Sequence, residues 1–225
     1  MLATPRRANE GRLTLLFRRA GLRTVLQECL FQVPLQVMRP LYLDDTGTAY
    51  VYLLSPCGGV VGGDCYHIGV VVQEQGRVCM TTPAATKLYA TPGLAAQQHL
   101  DITLQAGAVL EYVPEQIIPF ARSAFQQDMT VRLGPGAAVF CLEIVAPGRL
   151  ARGEVFAYRD YSSSLRIEDA QGQLLLRERL RLQPTWRGLG GLGLFEGYGY
   201  LGTLYVLVEG VVLDPALGEQ IHTLL

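Results

Sequence analysis

The sequence predicts a mainly β fold, built as a β-helix-like stack of two sheets with one or two short helices. Two observations lead to this prediction. Short apolar runs rich in branched and aromatic residues alternate with glycine- and proline-containing turns along most of the 225 residues. A strand–turn–strand unit also recurs four times in the middle of the chain, and stacked units of that kind bury one continuous core.

The chain is predicted to form one domain with a short N-terminal arm. Residues 1–12 are largely polar and basic, so we assign them to the arm. Residues 13–225 are predicted to be a single β domain, because a chain of this length makes one domain or two small ones. Within that domain, residues 51–54 have the aromatic and branched composition of a buried strand.

The repeat is centred on four glycine turns at intervals of roughly 30 residues, which is typical of stacked units. Apolar residues follow each glycine at the second and third positions, and such turns suit hairpin or corner connections. A sandwich or barrel made from the same hairpins is the alternative, and the repeat does not separate the two. The glycines are Gly76, Gly107, Gly136 and Gly172, and the branched residues five positions before them are Val71, Ile102, Val131 and Ile167.

Helical patterns are scarce. Residues 86–89 are predicted to begin a short turn. Residues 215–225 are the best helical candidate, because Asp214 suits a cap and Pro215 suits the first helical position. Residues 184–199 are dense in glycine and are predicted to link the repeat to a last strand over residues 200–208.

Composition and charge limit the kinds of partner and the cellular compartment that we expect. A net charge of −1 gives no strong positive electrostatic field that would attract nucleic acid or an anionic membrane. No apolar run approaches the ~18 residues of a membrane helix. Five cysteines without C-x-x-C spacing or a signal peptide predict reduced thiols in the cytoplasm. The three histidines are far apart in sequence, so no closed zinc site and no tightly bound cofactor are expected. Cys65 and His67 share a strand face and are interpreted as surface residues.

A loop with two glycine pairs is the most distinctive stretch of the sequence. Gly58, Gly59, Gly62 and Gly63 flank two valines and precede Asp64. Glycine permits close backbone approach, so the pattern predicts a tight loop pressed against another segment, with Asp64 held in place. Thr86 and Lys87 follow a second, proline-containing turn.

These motifs, GGVVGGD at residues 58–64 and TTPAATKLY at residues 81–89, resemble the urease accessory protein family UreD, called UreH in some organisms. Further motifs in the same order extend the resemblance over most of the chain. They are PLQVMRPLY (34–42), LEYVPE (110–115), PGR (147–149), GEVF (153–156) and LLRERL (175–180).

The resemblance implies the stacked fold and a non-enzymatic role as a nickel-delivery chaperone and scaffold in urease maturation. Members of the family bind apo-urease with a UreF-type protein and a UreG-type GTPase, and Ni²⁺ passes in transit to the urease active site. The chain would therefore be a cytoplasmic protein of nitrogen metabolism. UreD-like chains usually continue beyond the position of Leu225, so the resemblance also implies that the C-terminal layer is cut short.

Asp64, Thr86, Glu143 and Glu178 match polar positions of the UreD motifs, and the resemblance suggests the three acids as a metal transit path. Glu143 and Glu178 also interrupt apolar runs, where a buried acid needs a partner or a function. Lys87 and Arg149 are candidate counter-charges. The alternatives are surface ion pairs: Glu178 with Arg177 or Arg179, and Glu143 with Arg149.

Two other functions compete with nickel delivery. One is a protein–protein interaction scaffold with no direct metal role. The other is a β-helical enzyme acting on polysaccharide, which predicts aromatic platforms beside paired acids, and the sequence has no such cluster. G-x-S-x-G, His-Glu-x-x-His and Walker motifs are also absent from the sequence, so no hydrolytic activity is expected.

Overall fold

The chain folds into two β-sheets that enclose a common core, which confirms the predicted mainly β stack. The structure is a computed structural model and describes residues 10–90, 93–186, 188–191, 194–212, 214, 216 and 220. The first sheet has seven strands: β1 (Glu10–Ala20), β2 (Arg23–Gln32), β5 (Cys65–Val72), β8 (Ala96–Leu104), β11 (Ala124–Leu133), β13 (Asp160–Asp169) and β14 (Leu174–Leu182). The second has eight: β3 (Gln36–Val37), β4 (Ala49–Leu54), β6 (Arg77–Thr81), β7 (Thr86–Leu88), β9 (Val109–Tyr112), β10 (Ile117–Pro119), β12 (Ala138–Val145) and β15 (Leu201–Val208).

The first sheet is parallel in the middle and antiparallel at both edges, whereas the second sheet is parallel except for β3 and β15, and its edge strand β7 runs parallel to β10. The first has the order β14-β13-β11-β8-β5-β1-β2, in which only β14 and β2 run antiparallel to their neighbours. In the second, β4, β6, β9 and β12 are parallel, β3 lies antiparallel on β4, and β15 lies antiparallel on β12. Parallel neighbours require a connection that leaves the sheet, and here that connection passes through the opposite sheet.

Three of the four repeat turns are corners that carry the chain from the first sheet to the second. The corners stack on one another, because Gln75 N donates to Ala106 O at 3.0 Å and Gly107 N donates to Pro135 O at 2.9 Å. The fourth turn, at Gly172, closes the antiparallel hairpin between β13 and β14 instead. The last unit of the repeat therefore ends the parallel stack.

The alignment on Gly76 is wrong by one residue. The register pairs Val70, not Val71, with Ile102, so Val71 lies on the outer face. The left-handed position of this corner is occupied by Gln75 with φ of 57°, whereas Gly107 and Gly136 occupy it in the next two corners. Gly76 was a misleading landmark because glycine is only one of the residues that can adopt positive φ.

The core lies between the sheets and consists of rows of residues in one register across neighbouring strands. One such row is fully buried and crosses five strands of the first sheet. Branched aliphatic side chains dominate it, as expected for strands packed on a buried face. Its members are Leu15, Val70, Ile102, Val131 and Ile167.

Several predicted boundaries differ from the structure. β1 already begins at Glu10, so residues 10–12 of the predicted arm belong to the first sheet, while residues 1–9 lie outside the described residues. Residues 86–88 form β7 and not a helical turn, because they pair with β10. Within the described part of the chain, a 3-10 helix spans Leu150–Arg152. The helix expected at 215–225 falls, apart from residues 216 and 220, outside the described residues.

The last predicted strand is confirmed as β15, and the glycine-dense segment before it is anchored to the core. Leu189 and Phe195 of that segment are buried, and the Phe195 ring packs edge-on against Phe156 at 4.7 Å between centroids. In the part of the chain that the structure describes, no helix is long and apolar enough to span a membrane.

Candidate functional site

The two motifs that carry the family resemblance lie against each other. Val60 N donates to Lys87 O at 2.8 Å, and Tyr89 N donates to Val60 O at 2.9 Å. A Cβ atom on Gly59 would lie 2.5 Å from the Lys87 carbonyl oxygen, so only glycine permits this approach. The predicted pressing of the glycine loop against another segment is therefore observed, and the partner segment is β7.

Asp64 is buried at the end of this loop, and hydrogen bonds hold its carboxylate. Its Oδ2 accepts hydrogen bonds from Val61 N at 2.9 Å and from the Tyr66 hydroxyl at 3.0 Å. Asp64 is 1% exposed, so these bonds replace the water that a surface carboxylate would have. Burial, and after it the neighbouring Asp64 carboxylate, raises the pKa of the Tyr66 hydroxyl, which stays a hydrogen-bond donor.

A row of polar side chains begins at Tyr66 and crosses the inner face of the first sheet to Ser163. The register pairs Tyr66 with Gln98, Gln98 with Gln127, and Gln127 with Ser163. The four residues occupy inward positions on β5, β8, β11 and β13, two residues along each strand from a core residue. Gln98 Nε2 donates to Gln127 Oε1 at 3.0 Å, which links two members directly.

Glu143 on β12 meets this row from the opposite sheet. Its Oε2 accepts hydrogen bonds from Gln127 Nε2 and from Ser163 Oγ, both at 2.8 Å. Burial raises the pKa of Glu143, and the polar groups of Ser163, Tyr161 and Gln127 offset part of that rise. The alternative partner Arg149 is not used, because its guanidinium pairs with Glu154 and lies 4.2 Å from the centre of the Phe120 ring.

A cavity of about 230 Å³, partly open to solvent, is bordered by both the glycine loop and Glu143. Its polar lining includes the predicted residues Thr86, Lys87 and Glu143, and the loop glycines Gly58 and Gly59 border it. Asp64 reaches the cavity through Tyr66, which lines it. A second cavity, of about 360 Å³, is also lined by Gln127, together with Ser163.

The other predicted site residues do not line this cavity. Gly62, Gly63 and Arg149 do not line it. Glu178 is exposed on the edge strand β14, opposite Leu165, which places it on the inward side of that strand. Burial raises the pKa of Tyr205, which lines the cavity, to about 12, and the charge of Glu178 adds to that rise. Arg177 and Arg179 project from the opposite side of β14, since side chains alternate along a strand.

Sequence reasoning missed Tyr66, Gln98, Gln127 and Ser163. Each is a polar residue at an inward position of a strand, so the correct register of the repeat would have aligned all four in one row. A second feature was also missed. His67 and His99 are distant in sequence but lie on adjacent strands, with stacked rings 5.0 Å apart between centroids. The interpretation of Cys65 as a surface residue is wrong, because its side chain is buried, whereas His67 is half-buried. Within the described residues, no group of three or more His, Cys, Asp or Glu side chains is arranged around a metal position.

Comparisons with known proteins agree with the motifs. The family described as UreD urease accessory protein matches residues 9–225. The urease accessory protein UreD of Cenarchaeum symbiosum is 38% identical over 192 residues, covering 84% of this chain and 67% of the relative. UreD 2 of Streptomyces griseus is 38% identical over 221 residues, covering 95% and 75%. The match over nearly the whole chain means that the chain belongs to the UreD family of urease accessory proteins.

Proposed function

We propose that this chain is a urease maturation factor through whose interior Ni²⁺ passes toward apo-urease. In this proposal it acts in a complex with a UreF-type protein and a UreG-type GTPase. Family membership supports the role in urease maturation, and the nickel path and the individual partners are our inference.

The observation that carries the proposal is the continuous polar row inside an otherwise apolar core. The row begins at Asp64, continues through Tyr66, Gln98 and Gln127, and ends at Glu143. Buried polar groups are costly unless they are bonded, so their presence is weak evidence for a stabilising role. A cavity lies alongside the row, so water has space to accompany an ion.

The chemistry of the row suits transit better than storage. Its ligand atoms are carboxylate, amide and hydroxyl oxygens, which hold Ni²⁺ less firmly than thiolate or imidazole clusters. A pathway must bind an ion well enough to admit it and weakly enough to release it. Burial raises the pKa of Glu143, and a cation beside its oxygen atoms would favour the charged carboxylate and lower that pKa again.

The test measures nickel loading of urease and assembly of the complex in the same preparation. Asp64→Asn and Glu143→Gln keep the size of each side chain and remove its charge. We expect both variants to co-purify with the partner proteins as the wild type does and to deliver less nickel to urease. Glu28→Gln is the matched control, because Glu28 is exposed on edge strand β2. Normal nickel loading by both interior variants would contradict the transit path.

The scaffold without a metal role is the second candidate function, and one observation favours it. A group of large apolar side chains is exposed near edge strand β2 and the segment after β3, including Phe31 at 57% and Val33 at 62%. Exposed apolar groups of this kind mark protein-binding surfaces. Loss of assembly together with nickel loading in the interior variants would favour this candidate.

A further inference from the structure

The first sheet ends at β14, an edge strand that carries a row of basic side chains. β14 has nine residues, and among the strands that the structure describes it pairs with β13 alone. An edge strand has backbone N–H and C=O groups that are directed away from the sheet and remain unpaired. An extended segment of another protein can bind to such an edge as one further strand.

The basic side chains lie on the outer face of β14. Leu165 is buried and pairs with Glu178, so Glu178 faces inward, and the alternate positions Arg177, Arg179 and Arg181 face outward. Side chains at alternate positions are spaced about 7 Å apart along a strand. A strand added beside β14 has the same spacing, so its own alternate side chains would meet this row.

Two of the three arginines have no acidic partner in the part of the chain that the structure describes. Arg181 Nη2 donates to Asp160 Oδ2 at 2.9 Å, whereas Arg177 and Arg179 are exposed and form no ion pair there. Arg177 lies directly opposite Arg166 on β13, and like charges in such positions repel each other. An acidic side chain on the free side of Arg177 would offset that repulsion.

A cavity of about 360 Å³ provides space for acidic groups beside the row. It is bordered by Arg179 and Arg181 and by the residues directly opposite them on β13, Ser164 and Ser162. The Ser162 hydroxyl makes no hydrogen bond within the described part of the chain, so it is an additional donor for an entering carboxylate.

The acids at the wall of this cavity do not cancel its positive charge. Asp128 Oδ1 accepts a hydrogen bond from Ser164 Oγ at 2.6 Å, and Asp160 Oδ2 accepts the bond from Arg181. Arg159 lines the cavity as well, so three arginines stand against two aspartates. The balance favours an acidic ligand over a basic one.

We propose that β14 binds an extended segment of a partner protein in which acidic side chains alternate with mainly apolar ones. The segment continues the first sheet beyond β14, and its acids pair with the arginines of the outer face. Its apolar side chains pack beside Leu176 and Leu180, which are half-buried on the inner side of the strand. Glu178 lies between these two leucines, so the residue of the segment that faces it is neutral and polar.

A second copy of this chain does not suit the same edge. Pairing of two β14 strands would place two rows of arginines on one sheet, and basic side chains on edge strands oppose such self-pairing. The proposed surface is also distinct from the exposed apolar group near β2, because β2 and β14 form opposite edges of the first sheet. It does not depend on the proposed nickel path.

The experiment attaches the full chain to a biosensor surface, so that aggregation in solution does not enter the measurement, and passes synthetic peptides over it. In the first peptide, three glutamates alternate with valine and threonine. The second peptide has lysine in place of glutamate, and the third has proline at two central positions. We expect only the first peptide to bind, and more weakly at high salt, because the arginines are exposed. Amide hydrogen exchange in β14 should slow when this peptide is bound.

A double variant, Arg177→Gln with Arg179→Gln, removes the two unpaired charges and should weaken binding of the first peptide about 2- to 30-fold. Arg18→Gln is the matched control, because Arg18 is exposed on the outer face of the same sheet, on β1. Circular dichroism of each variant checks that its fold is kept.

Several results would overturn the proposal. One is the absence of binding by the glutamate peptide, and another is equal binding of the lysine or the proline peptide. A third is a double variant that binds the glutamate peptide as tightly as Arg18→Gln does. Protection of the β14 amides that rises with chain concentration in the absence of peptide would assign this edge to a second copy, which also contradicts the proposal.

Discussion

Gln127 Nε2 donates a 2.8 Å hydrogen bond to Glu143 Oε2, and this bond joins the two sheets through the middle of the core. Ser163 Oγ donates to the same oxygen from the neighbouring strand. The second sheet thus contributes the acid and the first sheet contributes the donors. A carboxyl group in this position affects both the stability of the fold and any ion that reaches it.

Glu143 is expected to make stability depend on pH. Its pKa is raised in the folded state above the ordinary value of 4.5, mainly by burial. The folded state therefore holds the proton more tightly than the unfolded state, so this contribution is complete below pH 4.5 and is lost as pH rises through the folded pKa. Chemical denaturation of wild type and Glu143→Gln across this range should show the variant gaining in relative stability as pH rises. A difference in unfolding free energy that does not change with pH would contradict this assignment.

Tyr66→Phe tests the hydrogen bond that holds Asp64. The variant removes the 3.0 Å bond to Asp64 Oδ2 and leaves the ring in the core. A hydrogen bond to a charged group contributes about 1.5–3 kcal/mol, so we expect a loss of unfolding free energy in that range. The control is Tyr198→Phe, whose side chain is 75% exposed and whose replacement should change stability by less than about 0.5 kcal/mol. Equal effects of the two changes would show that the bond does not stabilise the fold.

The stack was predictable because its turns recur, whereas the site depends on contacts that no local pattern contains. Gly107 and Gly136 mark their corners correctly, but Gln75 takes the same backbone conformation without being glycine, and the register was misplaced there. The burial of Asp64 followed from its glycine loop. The meeting of His67 with His99, and of Gln127 with Glu143, depends on which strands become neighbours. The sequence alone does not supply that register.

Gly59→Ala tests the contact between the two family motifs. The new Cβ atom would lie 2.5 Å from the Lys87 carbonyl oxygen and 2.6 Å from the Tyr89 ring, so the loop must move away from β7. Overpacking of this kind costs about 1–3 kcal/mol. In Gly190→Ala the added atom meets nothing within 4 Å, and that variant serves as the control in the same thermal unfolding assay. Unchanged stability of Gly59→Ala would mean that the loop adapts without penalty.

The exposed apolar group near β2 is expected to limit solubility of the isolated chain. Leu30 is 68% exposed, Phe31 57% and Val33 62%. We expect aggregation when the chain is expressed alone and rescue by co-expression with a UreF-type partner. Replacing the three residues by Ser should reduce aggregation and weaken capture of the partner, as measured by light scattering and co-purification. Val212→Ser, at a position 96% exposed, is the control, and an isolated wild-type chain that stays monomeric at high concentration contradicts the prediction.

Glu178 is oriented toward the inner side of the sheet, yet its side chain is exposed to solvent. It projects from edge strand β14 on the same side as Leu165, and its charge acts on Tyr205 at the border of the cavity. Since Glu178 is exposed, Glu178→Ala should change the unfolding free energy by less than about 0.5 kcal/mol. Glu143→Ala should cost about 1–3 kcal/mol, because it leaves buried donors without an acceptor.

If Glu178 belongs to the nickel path, its loss should lower the nickel content of urease while assembly with the partners is unchanged. Glu28→Ala, on the opposite edge strand of the same sheet, controls for the removal of a surface acid. Nickel content is measured by elemental analysis of urease purified from the activation mixture, and assembly by co-purification. Normal nickel content in Glu178→Ala would confine the path to the buried row between Asp64 and Glu143. Reduced content together with lost assembly would make Glu178 part of a binding surface, because an exposed acid that does not support the fold then acts through a partner.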